Sequence, residues 1–275
     1  MADNELCRLC ETADAEAWWS MLQAADPGFR ERYNIKAERI GGMVVGATGS
    51  FDVVALNRAV GVQIDHRTSA EEIRQIGSIF EECGSRRSAI QLCPSASTPE
   101  VLDLLRSEGF VHFNNWTKLV RKVNDPAPEA DTHIRVERIG ADMATVFAEI
   151  VCPAFGWPGL MKQWIARMVG TEGWYHYLAY EHDEPVATGA MFVLGQVAWF
   201  GYAATRPDFR RHGAQSSLIC KRLDDARTAG CSHIVVETAE EQPEKPNPSY
   251  HNLIRYGFAP AYQRPNYLKV RSTHT

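Results

Sequence analysis

One stretch constrains the fold of this chain more than any other, because it couples a buried strand to a helix through a glycine turn. Residues 197–202 read VAWFGY, an apolar and aromatic run that is typical of a strand in a protein core. Downstream, apolar residues recur at helical spacing at Ile219, Leu223 and Ala226. Gly230 follows as a C-cap. The stretch therefore predicts a strand, a turn around Gly213 and an amphipathic helix.

The predicted helix start has the features of an anion site. A helix N-terminus presents backbone N–H groups without intrahelical partners, together with the positive end of the helix dipole. Gly213 lets the backbone approach an anion closely, and Arg210, Arg211 and His212 add positive charge. An ordinary strand-turn-helix with a basic cap explains the same residues, so both interpretations remain open at this point.

Two landmarks give the second half of the chain a family resemblance. The pattern Arg210-x-x-Gly213-x-Gln215 resembles the Arg/Gln-x-x-Gly-x-Gly/Ala loop of the GNAT superfamily of acyl-CoA-dependent N-acetyltransferases, with Gln215 where a small residue is usual. The segment 247–258, which ends in Gly-Phe, resembles the helix that follows the fifth strand of that fold. Loop, strand and Gly-Phe helix occur here in the family's order.

The resemblance implies where acetyl-CoA binds. In the family, the loop amides hold the pyrophosphate of coenzyme A, and the preceding strand pairs with pantetheine and contacts the thioester carbonyl. The cofactor-binding residues implied are Ala203, Ala204, Thr205, Arg210, Arg211, His212, Gly213, Ala214, Gln215, Ser216 and Asn247.

The catalytic groups are predicted from the same helix and strand. The family's usual proton donor is a tyrosine four residues before the glycine, and Leu253 occupies that position here. Tyr250, about one helical turn earlier, is therefore the predicted general acid. Glu237, at the end of an apolar strand, is the predicted general base, since burial raises a carboxyl pKa. Packing for Tyr250, solvent exposure for Glu237 and a water relay are the alternatives.

An aromatic loop is the predicted acceptor wall. Residues 152–158 read CPAFGWP, and in the family this connection lines the acceptor site. Phe155 and Trp157 are therefore predicted to bind an apolar or aromatic part of the substrate. Ordinary packing explains the two rings equally well.

The two halves of the chain look like two copies of one α/β unit. Leu104–Phe110 (LLRSEGF) echoes Leu253–Phe258 (LIRYGF), and an aromatic-centred strand follows each. Where the second copy has its glycine loop, the first has acidic residues and no glycine, namely Asp65, Glu71 and Glu72. These charges would repel a pyrophosphate, so the first copy is predicted to be degenerate. The fold class predicted is α/β (α+β), with two tandem GNAT-like domains, each a mixed, mostly antiparallel sheet flanked by helices.

Local signals set the expected boundaries. Residues 125–131 are polar and contain two prolines, so they are the predicted linker between a domain over 1–124 and one over 132–275. In the first half we expect a helix over 14–25 and strands over 42–47 and 51–56. A further helix should begin at Ser69, with Glu72 completing a capping box.

Charge and composition argue against several classes of binding partner. The formal net charge of −5, without a cluster of Lys and Arg, argues against nucleic acid. No run of eighteen apolar residues and no signal sequence is present, so a cytoplasmic location without a membrane partner is expected. Cys7-x-x-Cys10 lacks a second ligand pair and the histidines are dispersed, so no metal site is predicted. The protein is expected to be a monomer or a homodimer.

Two classes of function remain after these observations. The first is an acyl-CoA-dependent N-acetyltransferase that moves an acetyl group directly to the amine of a small molecule. The second is a non-catalytic tandem pseudoenzyme that binds acyl-CoA as a sensor or scaffold. Transfer from a charged transfer RNA is a third possibility, which the acidic balance disfavours.

Overall fold

The computed structural model describes residues 3–62, 67–244 and 246–271. The chain divides into two compact units, Met1–Lys118 with Ala261–Thr275, and Leu119–Pro260. We call them the first and the second unit. The linker predicted at 125–131 thus lies within the second unit, and the chain from Ala261 onward groups with the first. Residues 123–134, all described, form neither helix nor strand.

The helices and strands alternate along most of the chain. The helices are α1 (Asp3–Gln23), α2 (Pro27–Arg32), α3 (Ala70–Cys83), α4 (Pro99–Ser107), α5 (Ala144–Ala154), α6 (Met161–Met168), α7 (Ala214–Thr228) and α8 (Pro248–Arg255). The strands are β1 (Ile35–Ile40), β2 (Met43–Thr48), β3 (Arg58–Val60), β4 (Arg87–Gln91), β5 (Val111–Lys122), β6 (Arg135–Ile139), β7 (Trp174–Glu181), β8 (Glu184–Leu194), β9 (Val197–Thr205), β10 (His233–Ala239) and β11 (Ala259–Val270). Among the described residues, no helix is long and apolar enough to cross a membrane.

The first unit is built on a mixed sheet in the order β1-β2-β3-β4-β11-β5. The pairs β1–β2, β2–β3 and β4–β11 are antiparallel, whereas β3 and β4 are parallel. Since β4 follows β3 through α3, this parallel pair is a strand–helix–strand crossover. Strand β11 begins at Ala259, and its residues from Ala261 onward belong to this first unit.

The second unit repeats the arrangement in the order β10-β9-β8-β7-β6. Neighbours from β6 to β9 pair antiparallel, and β9 pairs with β10 in parallel through the crossover helix α7. One core packs α7 residues such as Leu218 against Tyr177 of β7. A second cluster packs Ile150 of α5 against Leu178. Because Tyr177 and Leu178 are adjacent on a strand, α7 and α5 cover opposite faces of the sheet.

The fold class predicted from the sequence is confirmed, since each unit is a mixed, mostly antiparallel sheet flanked by helices. The start of α3 is also confirmed. Ser69 Oγ accepts a hydrogen bond from the Glu72 backbone N–H at 3.2 Å, and the Ser69 N–H donates to Glu72 Oε2 at 2.7 Å. Gly84 ends the helix with a left-handed φ of 74°.

The strand expected over 51–56 is wrong, and the segment is a turn that leads into β3. The side chain of Asn57 explains the turn. Its Oδ1 accepts from the Thr48 N–H, and its Nδ2 donates to the Phe51 carbonyl at 2.9 Å. These local bonds compete with a strand ladder. The sequence also missed β1 and the first eleven residues of α1, which begins at Asp3 rather than Asp14.

Buried charges fasten β11 into the first unit. Arg264, fully buried, donates to Glu11 Oε2 at 3.1 Å and to Asp14 Oδ2 at 2.5 Å, both on α1. Lys118 of β5 also lies 3.1 Å from Asp14. Burial opposes ionisation of Asp14, but the surrounding cations outweigh it and hold the Asp14 pKa below its usual range. The carboxylates of α1 and the cations of β5 and β11 thus form one paired network.

Candidate active site

The parallel pair β9–β10 opens at one end. Its register runs from Val197↔His233 to Phe200↔Val236, and both strands continue beyond it, to Thr205 and Ala239. The pairing therefore stops in mid-strand. Backbone groups at this end of β9 are available to a ligand that enters between the strands.

A β-bulge interrupts the pairing of β9 with β8 at the same end of the strand. The register with β8 shifts by one residue, from Ala190↔Gly201 to Thr188↔Ala204. Within the bulge, Tyr202 has a left-handed φ of 51°, which is uncommon for an aromatic residue, and its carbonyl accepts a hydrogen bond from Thr188 Oγ1 at 2.9 Å. Ala203 follows as an exposed residue.

The three strand residues predicted to bind the cofactor therefore lie on one short segment. Ala203 is exposed, Ala204 is buried, and Thr205 is half-buried. Gln215, in the first turn of α7, donates from Nε2 to Thr205 Oγ1 at 2.9 Å. This bond ties the end of β9 to the start of α7 and gives Gln215 a structural role at a position where the family pattern has a small residue.

The start of α7 has no side-chain cap. Its N-cap is Gly213, with φ 92°, and no acidic residue stands in the first turn. A Cβ added at Gly213 would lie 2.8 Å from Cβ and Oγ1 of Thr132, so both the conformation and the space require glycine. The first N–H groups of α7 and the positive end of its dipole thus face no acidic side chain of their own turn.

The loop before α7 is fastened to β7 and to the chain preceding β6. Thr132 Oγ1 donates to the His212 carbonyl at 3.3 Å. Glu181 accepts from Nδ1 of His212 at 3.0 Å and from Nε2 of His133 at 2.9 Å. Hydrogen bonds from His212 and then from His133 hold the pKa of Glu181 below its usual value. Arg210 and Arg211 remain on the exposed side of the loop.

A further cation, which the sequence did not single out, lies at the first turn of α7. Arg255, the last residue of α8, donates from Nη2 to Ser216 Oγ at 2.7 Å. The signal in the sequence was a basic residue two positions before Gly257-Phe258, but its contact depends on how α8 packs. Positive side chains from two elements thus stand near one helix start.

Glu237 lies on β10, and Tyr250 lies on α8, the helix that follows β10 in the chain. Glu237 is half-buried and comes directly after the last β9–β10 pair. Tyr250, also half-buried, packs against the core, with its ring 5.8 Å from the ring of His251. Leu253, where the family usually has its donor, is buried in that core.

Asn247 is the N-cap residue of α8. Its Oδ1 accepts from the N–H groups of Ser249 and Tyr250, which caps α8. Its Nδ2 donates to Thr238 Oγ1 at 2.9 Å and to the Ala239 carbonyl at 2.7 Å. The side chain predicted to contact the cofactor therefore joins β10 to α8 and orients the helix that carries Tyr250.

Phe155 and Trp157 lie in the connection between α5 and α6, and their ring centroids are 5.1 Å apart. Trp157 also lies edge-on to Tyr202 of the bulge, at 6.2 Å. The predicted acceptor loop and the bulge of β9 are thus in contact. Among the described residues, no group of three or more His, Cys, Asp or Glu side chains is arranged to hold a metal ion.

Solved structures of low sequence identity share this fold over nearly the whole chain. A GCN5-related N-acetyltransferase from Kribbella flavida is 16% identical, with a TM-score of 0.62 over 94% of this chain and 96% of its own. A GCN5-related N-acetyltransferase from Sphaerobacter thermophilus is 16% identical, with a TM-score of 0.61 over 96% and 91%. A tandem GNAT protein from the clavulanic acid biosynthesis pathway is 13% identical, with a TM-score of 0.60 over 95% and 96%. The fold is therefore that of the GNAT proteins, in tandem.

A family model also matches most of the second unit. Residues 146–264, from within α5 to within β11, match the model of the acetyltransferase (GNAT) family. The match contains the bulge of β9, the loop at Gly213 and the open end of β10. No curated protein sequence matches the chain significantly.

Proposed function

We propose that this protein is an acyl-CoA-dependent N-acetyltransferase that moves an acetyl group directly to the amine of a small molecule. One observation carries the proposal: the glycine-capped start of α7, beside the open end of the β9–β10 pair, within a GNAT-family domain. The family membership supplies the reaction class, and the local geometry supplies the residues.

The pyrophosphate of coenzyme A fits the start of α7. A helix start without a side-chain cap leaves N–H groups for phosphate oxygens, and Gly213 places no Cβ over them. Arg210 and Arg211 supply exposed positive charge in the loop, and Arg255 approaches from α8. The residues proposed to hold the diphosphate are therefore 210–216, with Arg255 in support.

The strand β9 is proposed to hold the thioester end. The bulge at Tyr202 interrupts the register with β8, which resumes at Ala204↔Thr188, and Ala203, between the two, is exposed. A backbone N–H that is fixed before the substrate arrives stabilises developing negative charge on a carbonyl oxygen. Ala203, Ala204 and Thr205 keep the roles that the sequence predicts for them.

Acetyl-CoA supplies an activated thioester: the neutral amine attacks the carbonyl carbon, the C–N bond forms, the C–S bond breaks, and the sulfur of coenzyme A leaves with the electron pair. The protein must accept one proton and donate another. Glu237, half-buried beside the open strand end, is proposed to accept the proton lost by the nitrogen. Tyr250 is proposed to donate a proton to the sulfur through its phenol.

The first unit is proposed to bind no coenzyme A. The start of α3 already has a side-chain cap from Ser69, and Glu71 and Glu72 put negative charge into its first turn. The predicted Asp65 lies outside the described residues. A diphosphate at this helix start would displace the cap and meet two carboxylates, so we expect one site per chain.

Calorimetric titration with coenzyme A tests the proposal. We expect one molecule per chain, with binding abolished in Gly213→Glu, because the new side chain adds bulk and negative charge at the phosphate site. Gln215→Glu adds the charge with almost no change in shape, and we expect affinity to fall roughly tenfold or more. Gly159→Glu, which places the same charge at an exposed glycine with open space around it, is the matched control and should bind normally.

Two results would overturn the assignment. Two equivalent sites per chain, or none, would show that the helix start of α7 is not the distinguishing feature. Normal binding in both Gly213→Glu and Gln215→Glu would show that the loop has another role. Tight binding without turnover on any amine would favour a non-catalytic sensor or scaffold.

A further inference from the structure

A row of aromatic rings leads from the core of the second unit to the bulge of β9. On adjacent strands, Trp174 pairs with Phe192 and Phe192 pairs with Trp199, which places three rings side by side on one face of the sheet. Tyr202 lies 5.7 Å from Trp174 and 6.0 Å from Trp199. Trp157 and Phe155 extend the row from the α5–α6 connection.

The row is buried at Trp174 and is most accessible at Phe155, in the α5–α6 connection. Trp174 is 3% exposed, whereas Trp199, Tyr202 and Trp157 are half-buried. Phe155, at the far end, is 45% exposed. A row that served packing alone would be expected to end under apolar cover, since open aromatic surface is unfavourable in water. Accessible aromatic rings on a monomer often mark a place where a ligand binds.

The half-buried rings lie beside the backbone at which acyl transfer is proposed. Tyr202 belongs both to the row and to the bulge, and the next residue is Ala203. The ring of Trp199 covers Gly201, where a Cβ would come within 2.1 Å of it. A group resting on Trp157 and Tyr202 therefore lies next to the end of β9.

Behind the rings lies a buried histidine, His176. His176 is buried between Trp174, on which it stacks at 5.4 Å, and Phe147, which it meets edge-on at 4.9 Å. Burial, with a smaller contribution from Arg138, lowers the pKa of His176 to about 3, so the ring is neutral at ordinary pH. This wall thus suits an apolar, flat group.

We infer that the acceptor is a primary amine carrying an aromatic ring on a short alkyl chain, with its ring held by Trp157, Tyr202 and Phe155. The inference rests on the proposed acyl transfer and adds the substrate class. Ring pairs at centroid distances of 4.5–7 Å are favourable beyond the area that they bury, so an aryl group gains more here than an alkyl group does. The short chain lets the nitrogen reach the bulge while the ring stays on the wall.

A panel of amines with similar basicity tests the inference. With acetyl-CoA, the released thiol is measured for 2-phenylethylamine, 2-cyclohexylethylamine, butylamine and putrescine. We expect kcat/KM for 2-phenylethylamine to exceed that for butylamine and putrescine at least tenfold, and that for 2-cyclohexylethylamine severalfold. Trp157→Ala should lower the ratio of kcat/KM for 2-phenylethylamine to that for butylamine roughly tenfold, whereas Trp157→Phe should keep most of the preference.

Leu160→Ala is the matched control, because Leu160 is an exposed apolar residue in the same connection, outside the row of rings. Its kinetics should equal those of the parent. A second readout needs no turnover: titration of 2-phenylethylamine into the complex with coenzyme A should quench tryptophan fluorescence, and Trp157→Phe should reduce the quench.

The outcomes separate this inference from the function on which it rests. If coenzyme A binds and the amines are acetylated without preference for the aryl compound, the inference fails alone. It also fails if coenzyme A binds and 2-phenylethylamine neither reacts nor quenches. If coenzyme A does not bind and no amine reacts, the proposed acyl transfer fails and this inference falls with it.

Discussion

The two units place a helix between the strands of a parallel pair in the same way, but the two helices begin differently. In the first unit, α3 starts with a reciprocal capping box and two acidic residues, so its own side chains occupy the donors of the first turn. In the second unit, α7 starts at a left-handed glycine without a side-chain cap or an acidic residue. The same position in the fold is thus capped by side chains in one unit and has no side-chain cap in the other.

The difference extends to the helix that follows each pair. In α8, Tyr250 lies about one turn before Leu253, whereas the corresponding turn of α4 contains Val101 and Leu102. A unit that held no thioester would need no phenol at this place. The two units therefore differ both at the helix start proposed to bind coenzyme A and at the tyrosine proposed to donate a proton. Each difference can be tested separately.

The largest effect on the reaction is expected from replacing the proposed proton donor, Tyr250. Tyr250→Phe should lower turnover about 10²–10⁴-fold, the usual contribution of a positioned general acid, because the leaving sulfur loses its proton donor. The affinity for coenzyme A should hardly change. Steady-state kinetics with an active amine, beside calorimetric titration, measure both.

Tyr256→Phe is the matched control for this variant, since it also removes one phenol hydroxyl, at the C-terminal end of α8. Its turnover should stay close to that of the parent. A Tyr250→Phe enzyme within twofold of the parent would mean that Tyr250 only packs and that water protonates the sulfur.

A smaller effect is expected at the loop. Arg210→Ala should weaken coenzyme A binding by about 1–3 kcal/mol, the usual value of a charge-assisted hydrogen bond. Arg74→Ala, on α3, removes an exposed arginine that pairs with Glu71 and should leave the affinity unchanged. Equal losses in the two variants would indicate a general charge effect and would remove the contrast between the units.

The smallest effect concerns the first unit alone. Ser69→Ala removes the N-cap of α3 and should cost about 1 kcal/mol of local stability. Hydrogen exchange followed by mass spectrometry should show faster exchange over residues 70–83, with 214–228 as the internal reference. Ser69→Asp should restore slow exchange, and coenzyme A affinity should be the same in all three proteins. A change in that affinity would argue that the first unit takes part in binding.

The sequence predicted those features that depend on neighbouring residues. The capping box at Ser69 and Glu72 follows local hydrogen-bonding rules, and so does the glycine turn before α7. The fold class followed from the repeat and from the order of the landmarks. The strand expected over 51–56 was wrong because the side chain of Asn57 closes a turn there, which alternation of apolar residues does not reveal.

What the sequence could not predict depends on residues far apart in the chain. Glu181 and His133 fasten the loop through His212, and Arg255 reaches Ser216 only because α8 packs beside α7. The left-handed Tyr202 follows from the bulge against β8, and nothing in the residue itself favours that conformation. Likewise, the assignment of residues 261–275 to the first unit is a matter of long-range pairing.

Because residues from 261 onward belong to the first unit, that unit cannot be completed until after the second unit has been synthesised. Asp14 and its partner Arg264 are 250 residues apart, so at common rates of translation roughly 12–50 s separate their emergence from the ribosome. All of residues 119–260 appear within this interval, and the second unit can complete itself first. Meanwhile α1 carries carboxylates whose arginine has not yet been made. The first unit therefore remains incomplete, without β11 and its Arg264, until residues 261–271 have been synthesised.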